Sequence, residues 1–275
     1  MMNNSSLLSQ TLKFWNSNPC DGNSEDLNTR QLFRYNKEPW LLPLLDTLAD
    51  SKNRILEIGC GQGTDAFYIC MKKKQGEYIA IDYSDESINF AKKNLKCIVE
   101  QFKVIPQFMT GNAEELPFED DFFDIIYSMG VLHHTPSIQK SIREAKRVLK
   151  KDGKAYIILY RKHSPKLILA NSFRSLQKVV GFILKKENPI YNMVKRMDSD
   201  RFGTIFKECF GVPILNSYTK REIQYIFNDF KIEKIKSVGG VGIPYIPRFL
   251  NQIIVNNKFW GTYWEIIIKN NDYSN

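Results

Sequence analysis

The chain predicts an α/β fold: a doubly wound, mostly parallel sheet of seven strands, with a helical and loop insertion after the fifth strand roofing the site. Three observations carry that prediction. Short β-branched runs alternate with amphipathic segments from Arg54 to Tyr160, the rhythm of parallel strands covered on both faces. Three glycines, Gly59, Gly61 and Gly63, follow the first run directly. The rhythm stops after Tyr160 and resumes at Thr219.

Taken in order, residues 1–30 are polar and read as loosely ordered, apart from an amphipathic patch "LLSQTLKFW". "TRQLFRYNKEPWLLPLLDTLA" (29–49) reads as helical on both sides of Pro39 and Pro43. "RILEIG" is the first strand, followed by a helix through "TDAFYICMKKK". "YIAID" and a helix through "SDESINFAKKNL" form the second unit. "QFMTGN", "FDIIYSMG", a helix "SIQKSIREAKRVLK" and "KAYIILY" complete the regular part. An amphipathic helix "PKLILANSFRSLQKVVGFILKK" opens the insertion, which is loop-rich up to Tyr218. A helix "TKREIQYIFNDF" then leads to "KIEKIKSVG" and, after a shorter excursion, to "TYWEIIIKN". The expected organisation is a helical cap over 1–50 and a ligand-binding core over 51–160. An inserted lid over 161–218 and a completing segment over 219–275 follow.

Composition narrows the function classes. At 275 residues with 43% hydrophobic content the chain can bury a full core. No uncharged apolar run approaches the ~18 residues of a membrane span. The N-terminus lacks a basic-then-apolar leader, so the expected location is the cytoplasm. Five scattered cysteines (Cys20, Cys60, Cys70, Cys97, Cys209) show no CxxC spacing and read as reduced thiols. A net charge of +9 admits an anionic partner, although the basic runs are short and look like solvated helix ends.

The glycine turn sets the chemistry. Glycines at a strand-to-helix turn permit φ > 0 and let a ligand approach the backbone and the helix N-terminus. The spacing here is G-x-G-x-G, not the G-x-G-x-x-G of dinucleotide folds, and Glu57 lies two residues before the first glycine. A carboxylate there repels a pyrophosphate and favours a cation, so the expected ligand carries positive charge. Asp82 ends the second strand, where an acid can accept both hydroxyls of a ribose. Capping of the next helix suits Ser84 and Asp85 better. Asn112, Ala113 and Glu114 follow the third strand, placed to read a base edge.

Together, "LEIGCGQGTD", "AIDYSDESI", "GNAEELPF", "FDIIYSMGVLHH" and "RVLKKDGKAYIILY" resemble the class I S-adenosylmethionine-dependent methyltransferases, and most closely the type 11 small-molecule group. The resemblance covers residues 54–160 well and 219–270 more loosely. It implies S-adenosylmethionine as cofactor, with S-adenosylhomocysteine as product. By that resemblance Gly59, Gly61 and Gly63 pass under the methionine part, and Glu57 acts on its amino group or orients the loop. Asp82 binds the ribose, Tyr83 lies against the adenine, and Asn112, Ala113 and Glu114 sit at its edge. Ser128, Met129, Gly130 and Val131 line the methionine, while Cys60, Thr64, Asp65 and Ser84 complete the cofactor set.

The resemblance also implies a transferase working by in-line displacement, which needs no metal and mainly requires positioning, dehydration and proton removal. Where amino-methylating nucleic-acid enzymes resemble one another in an (Asn/Asp)-Pro-Pro-aromatic motif, this chain reads "SMGV". A small-molecule acceptor is therefore expected over nucleic acid. His133 and His134 are candidate bases, since imidazole titrates near neutrality. Tyr160, Arg161 and His163 are secondary substrate candidates, with Arg161 suited to a carboxylate or phosphate. Tyr35 joins them from "RYNKEPW", which looks similar to a subgroup's leader. Phe173, Phe182, Tyr191, Phe202, Phe206 and Phe210 of the insertion are placed to close an apolar pocket, or to add a layer of core. Basic positions flanking the apolar stripe of helix 166–184 also suit peripheral membrane contact. Alternatives are a quinone- or lipid-like C-methyltransferase at a membrane surface and a non-catalytic nucleotide-binding protein. The glycine spacing disfavours an NAD(P)-dependent oxidoreductase.

Overall fold

A computed structural model describes residues 4–17, 26–185, 211–240 and 261–271. Its centre is a seven-stranded sheet in the order β3-β2-β1-β4-β5-β7-β6. The strands are β1 (Arg54–Ile58), β2 (Glu77–Asp82), β3 (Gln107–Thr110), β4 (Phe123–Met129), β5 (Leu149–Tyr160), β6 (Lys231–Gly240) and β7 (Gly261–Lys269). Strands β1 to β5 run parallel, and β7 lies antiparallel between β5 and β6. The order reverses at β1, so the crevice at the carboxyl ends of β1 and β4 is the switch point where such sheets bind ligands.

β1 explains why the sheet is doubly covered. Ile55, Leu56 and Ile58 are essentially inaccessible, although alternate residues point to opposite faces. Ile55 packs with α3 (Leu42–Asp50) and α4 (Thr64–Lys72) on one side, through Leu45, Leu48, Phe67 and Ile69. Leu56 and Ile58 pack on the other, with α6 (Ile138–Val148) through Ile138, Ile142 and Ala145. That 138-142-145 spacing puts one apolar stripe on the sheet. Ser84 caps α5 (Asp85–Ile98) by accepting from Ser87, as its sequence position suggests.

Several elements depart from the sequence expectation. The N-terminal segment forms α1 (Asn4–Ser17), because its apolar positions find a surface over the sheet's carboxyl edge. α2 (Leu27–Lys37) and α3 are separated by a short 3-10 turn at Pro39–Leu41. β5 begins five residues earlier than its apolar run, with a bulge where Asp152 takes φ 62°. The insertion starts with α7 (Pro165–Leu184), and residues 211–218 return beside β5, where Tyr218 N–H donates to the Tyr160 carbonyl at 2.9 Å. α8 (Lys220–Ile226) is shorter than its sequence pattern and begins in a Thr219/Glu222 capping box. Tyr191, Phe202, Phe206 and Phe210, and the excursion at 241–260, lie outside the described residues.

Because Leu56 sits at the sheet's centre with no exposure, Leu56→Ala should destabilise the chain by about 2–5 kcal/mol. Urea unfolding monitored by circular dichroism reads this directly, and a loss under about 1 kcal/mol would contradict the packing described.

Candidate active site

The glycine turn joins β1 to α4 and is tied down on two sides. Gly59 and Cys60 donate to the Ile81 carbonyl at 2.7 and 2.9 Å, which fastens the turn to the end of β2. On the β4 side, Ser128 Oγ donates to the Ile58 carbonyl at 3.0 Å. A Cβ on Gly59, at φ 82°, would stand 2.1 Å from a methyl carbon of Val131. Gly63, also at φ 82°, starts α4 with Phe108 and Phe67 against it. Neither place admits a side chain. The turn faces an open cavity at the switch point, which Gly59, Cys60 and Gly61 line.

Three acids surround the turn. Glu57 is 3% exposed and accepts from the Tyr78 hydroxyl at 2.9 Å. Burial, reinforced by the charge of Asp65, pushes its carboxyl up to about 8. Asp82 accepts from the Gly61 N–H at 2.7 Å and the Ser84 N–H at 2.9 Å. Burial raises its carboxyl too, and those N–H groups oppose the rise. Asp65 takes two parallel bonds of 2.7 Å from the Arg34 guanidinium, with Tyr35 at 3.0 Å and Tyr127 at 2.8 Å. All three acids line the cavity, and Arg34 is the one Lys or Arg side chain among the described lining residues. The balance favours a cationic ligand.

The rest of the cavity comes from four further segments. Tyr83 and Ser84 follow β2, and Asn112 and Ala113 follow β3, where Asn112 Oδ1 accepts from the Glu114 N–H at 3.0 Å. Met129, Gly130 and Val131 extend from β4, followed by His134. Leu8, Thr11, Leu12 and Trp15 of α1 form the opposite, largely apolar wall. Asn16 accepts from Ser84 Oγ at 2.6 Å, and the Trp15 ring meets His134 edge-on at 5.2 Å.

Other expected residues fall outside this lining, each for a local reason. Gly63 and Thr64 are committed to starting α4, and Thr64 is buried. The Glu114 carboxylate accepts from the Ser137 N–H at the head of α6, and the Ser128 hydroxyl is spent on Ile58. His133 is fully buried between Tyr160, with ring centroids 4.0 Å apart, and His134. Burial holds its imidazole well below the ordinary range, and neither ring nitrogen has a hydrogen-bond partner. The paired-histidine expectation therefore narrows to His134, whose Nδ1 lies 2.6 Å from the Ile214 carbonyl. Tyr160 accepts from Lys166 at 2.9 Å, Arg161 donates to Ser237 at 3.1 Å, and His163 is exposed. Tyr35 braces Asp65 from α2.

Sequence reasoning missed Arg34 and the lining face of α1. Arg34 stands within "RYNKEPW", and "LLSQTLKFW" has the helical spacing of Leu8, Leu12 and Trp15. Neither stretch says which element it will cover.

The raised carboxyl of Glu57 carries a pH signature. The folded chain keeps a proton that the unfolded chain releases, so this stability is full below 4.5 and is lost as pH rises through about 8. Glu57→Gln should flatten the fall in urea-unfolding stability between about pH 5 and 9, and an unchanged slope would contradict the burial of a neutral acid.

Comparisons with known proteins agree with this geometry. The chain belongs to the family described as Methyltransferase domain, which matches residues 49–230. The uncharacterized methyltransferase YcgJ of Bacillus subtilis is 30% identical over 143 residues, covering 52% of this chain and 54% of that protein. The ubiquinone/menaquinone biosynthesis C-methyltransferase UbiE of Rickettsia prowazekii is 32% identical over 127 residues, covering 45% of this chain and 50% of that protein. The match thus spans about half the length of these curated relatives. A solved S-adenosylmethionine-dependent methyltransferase of Methanosarcina mazei superposes with TM-score 0.56 over 83% of this chain and 97% of its own, at 18% identity, which shows a shared fold. The family's cofactor is S-adenosylmethionine, and the cavity suits it: acids outnumber the single guanidinium, and nothing lies within 4 Å of where a Cβ on Gly61 would stand.

Proposed function

Proceeding from that family membership, we propose that the chain transfers the methyl group of S-adenosylmethionine to an oxygen, nitrogen or carbon of a small-molecule acceptor by in-line displacement. The observation that carries this reading is the meeting, in one cavity, of the glycine turn, Asp82 and His134. When bound, the cofactor supplies an electrophilic methyl on a positively charged sulfur, which is already an excellent leaving group.

The chain's residues then have positioning work. Each oxygen of Asp82 accepts one backbone N–H and keeps a second lone pair, which suits the two hydroxyls of a ribose. Glu57 lies deeper along β1 and would hold the ligand's ammonium group, whose charge would favour the ionised carboxylate. Ala113, Asn112 and Tyr83 line the same cavity and would hold the adenine. His134 donates from Nδ1 to the Ile214 carbonyl, which leaves Nε2 as the basic nitrogen of the neutral ring. A hydroxyl, amine or acidic carbon acceptor gives its proton to that nitrogen as the new bond forms. His133 packs against His134 with the rings tilted and their centroids 4.3 Å apart. The wall of Leu8, Leu12 and Trp15 favours an acceptor with an apolar body, a quinone- or lipid-like compound included.

Calorimetry tests the cofactor half. S-adenosylmethionine and S-adenosylhomocysteine should bind while NADH does not, and the reverse pattern ends the proposal. Asp82→Ala should weaken S-adenosylmethionine binding by about 2–4 kcal/mol, the worth of one or two charge-assisted hydrogen bonds, and an unaltered Kd would remove its role.

Turnover tests the acceptor half, using labelled cofactor, a metabolite extract and mass spectrometry of the product. His134→Ala should keep cofactor affinity and lose about 10²- to 10⁴-fold in kcat. His133→Ala should act chiefly on thermal stability. If His134→Ala turns over at the native rate, the base lies elsewhere.

A further inference from the structure

Helix α7 has two apolar faces, and among the described residues only one of them is buried. Its inner stripe includes Leu167 and Ala170, each 1% exposed, and Arg174 fastens it by donating to the Val212 carbonyl at 2.9 Å. The outer stripe holds Ile168, Leu169, Leu176, Val179, Phe182 and Ile183, all at least half exposed. Phe182 is 87% exposed and Ile183 69%. Of the twelve strongly exposed large apolar side chains among the described residues, seven lie on α7, so the patch is local and not scatter.

We propose that this outer face docks flat on an anionic lipid bilayer. Packing decides the orientation. The helix has the length and composition to cross a membrane, but its inner stripe is held in the core, so only one side is available to lipid. Charge decides the kind of lipid. α7 has no Asp or Glu, and Lys178 and Lys185 stand exposed beside the apolar stripe on a chain of net charge +9. Basic groups at that border draw the helix to anionic headgroups while Phe182 and Ile183 enter the acyl boundary.

The docking has a consequence for the acceptor. α7 starts at Pro165, five residues beyond the end of β5, and therefore rises from the sheet edge that carries the glycine turn and His134. Docked there, the chain meets acceptors that partition into the bilayer, and amphipathic compounds are the substrate class this favours. That consequence rests on the methyl-transfer reading, whereas the docking itself does not.

The experiment is flotation of the full chain with phosphatidylcholine vesicles, with and without phosphatidylglycerol. The native chain should float with the anionic vesicles. The double variant Phe182→Ser, Ile183→Ser should bind them at least about tenfold more weakly, since two large apolar groups no longer leave water. Lys178→Glu with Lys185→Glu should weaken binding to anionic vesicles only. A Phe182→Trp variant, with the native tryptophans as background, should add blue-shifted emission when those vesicles are present, which reports insertion even if the serine variant folds poorly. Absence of flotation, equal flotation with both vesicle types, or a concentration-dependent dimer abolished by Phe182→Ser in place of lipid binding would each overturn the proposal. S-adenosylmethionine affinity, measured on the same samples without vesicles, stays native in all these variants and separates this outcome from failure of the cofactor reading.

Discussion

The carboxyl ends of β1 and β4 approach so closely that no side chain fits between them at Gly59, and the rest of the site follows from that contact. Val131 occupies the space a Cβ would need, and Ser128 closes the gap below by bonding Ile58. With β4 pressed on one side and Ile81 accepting two N–H bonds on the other, the turn has a single course. That course aims the Gly61 N–H at Asp82 and brings Gly63 to the head of α4. Binding groups held this way lose little freedom when a ligand arrives, which is where much of the gain from preorganisation lies.

Electrostatics then decides what this frame can hold. Three carboxylates near one turn would repel one another in the folded chain, and each is relieved differently. Asp65 is paired with Arg34 in a planar two-bond contact. Glu57 keeps its proton, because burial and the Asp65 charge disfavour ionisation. For Asp82, burial raises the carboxyl and the backbone N–H groups that it accepts from oppose that rise. The Arg34–Asp65 pair is poor proof of stability, since burying two charges costs about as much as their attraction returns. Its clearer role is to join α2 to α4, elements whose paired residues are 31 apart in sequence.

How far the sequence could be read follows from the range of the physics involved. Strand–helix alternation is local, so β1 to β5 and their helices were legible from period and β-branching. Glu57, Gly59 and Asp82 were legible because a turn at a strand end brings near neighbours to one place. Polar residues misled where a hydroxyl or carboxylate had a closer backbone partner: Ser128 went to Ile58, and Glu114 to the head of α6. His133 and His134 are adjacent in sequence and alike in chemistry. One is walled in by Tyr160 while the other reaches the cavity, a distinction set by a strand and a loop far along the chain. The covering face of α1 was illegible for the same reason, since an amphipathic pattern states that a face will be buried without saying against what.

That covering helix bears on why the cavity can do chemistry at all. A sulfonium beside a base in open water would meet competing solvent, and fixed dipoles act strongly only where water is kept away. The sheet edge cannot exclude water alone, because its strand ends must stay accessible to a ligand the size of a nucleoside. α1 supplies the missing wall with Leu8, Leu12 and Trp15, and two of its contacts reach the site directly. One ties Asn16 to Ser84, two residues beyond Asp82, and the other brings the Trp15 ring edge-on to His134. The same helix therefore touches a near neighbour of Asp82, the proposed ribose acceptor, and the proposed base. Filling the cavity would settle the last turn of α1, where Trp15 and Asn16 are neighbours, so that dehydration of the site and orientation of His134 arise from one act of packing.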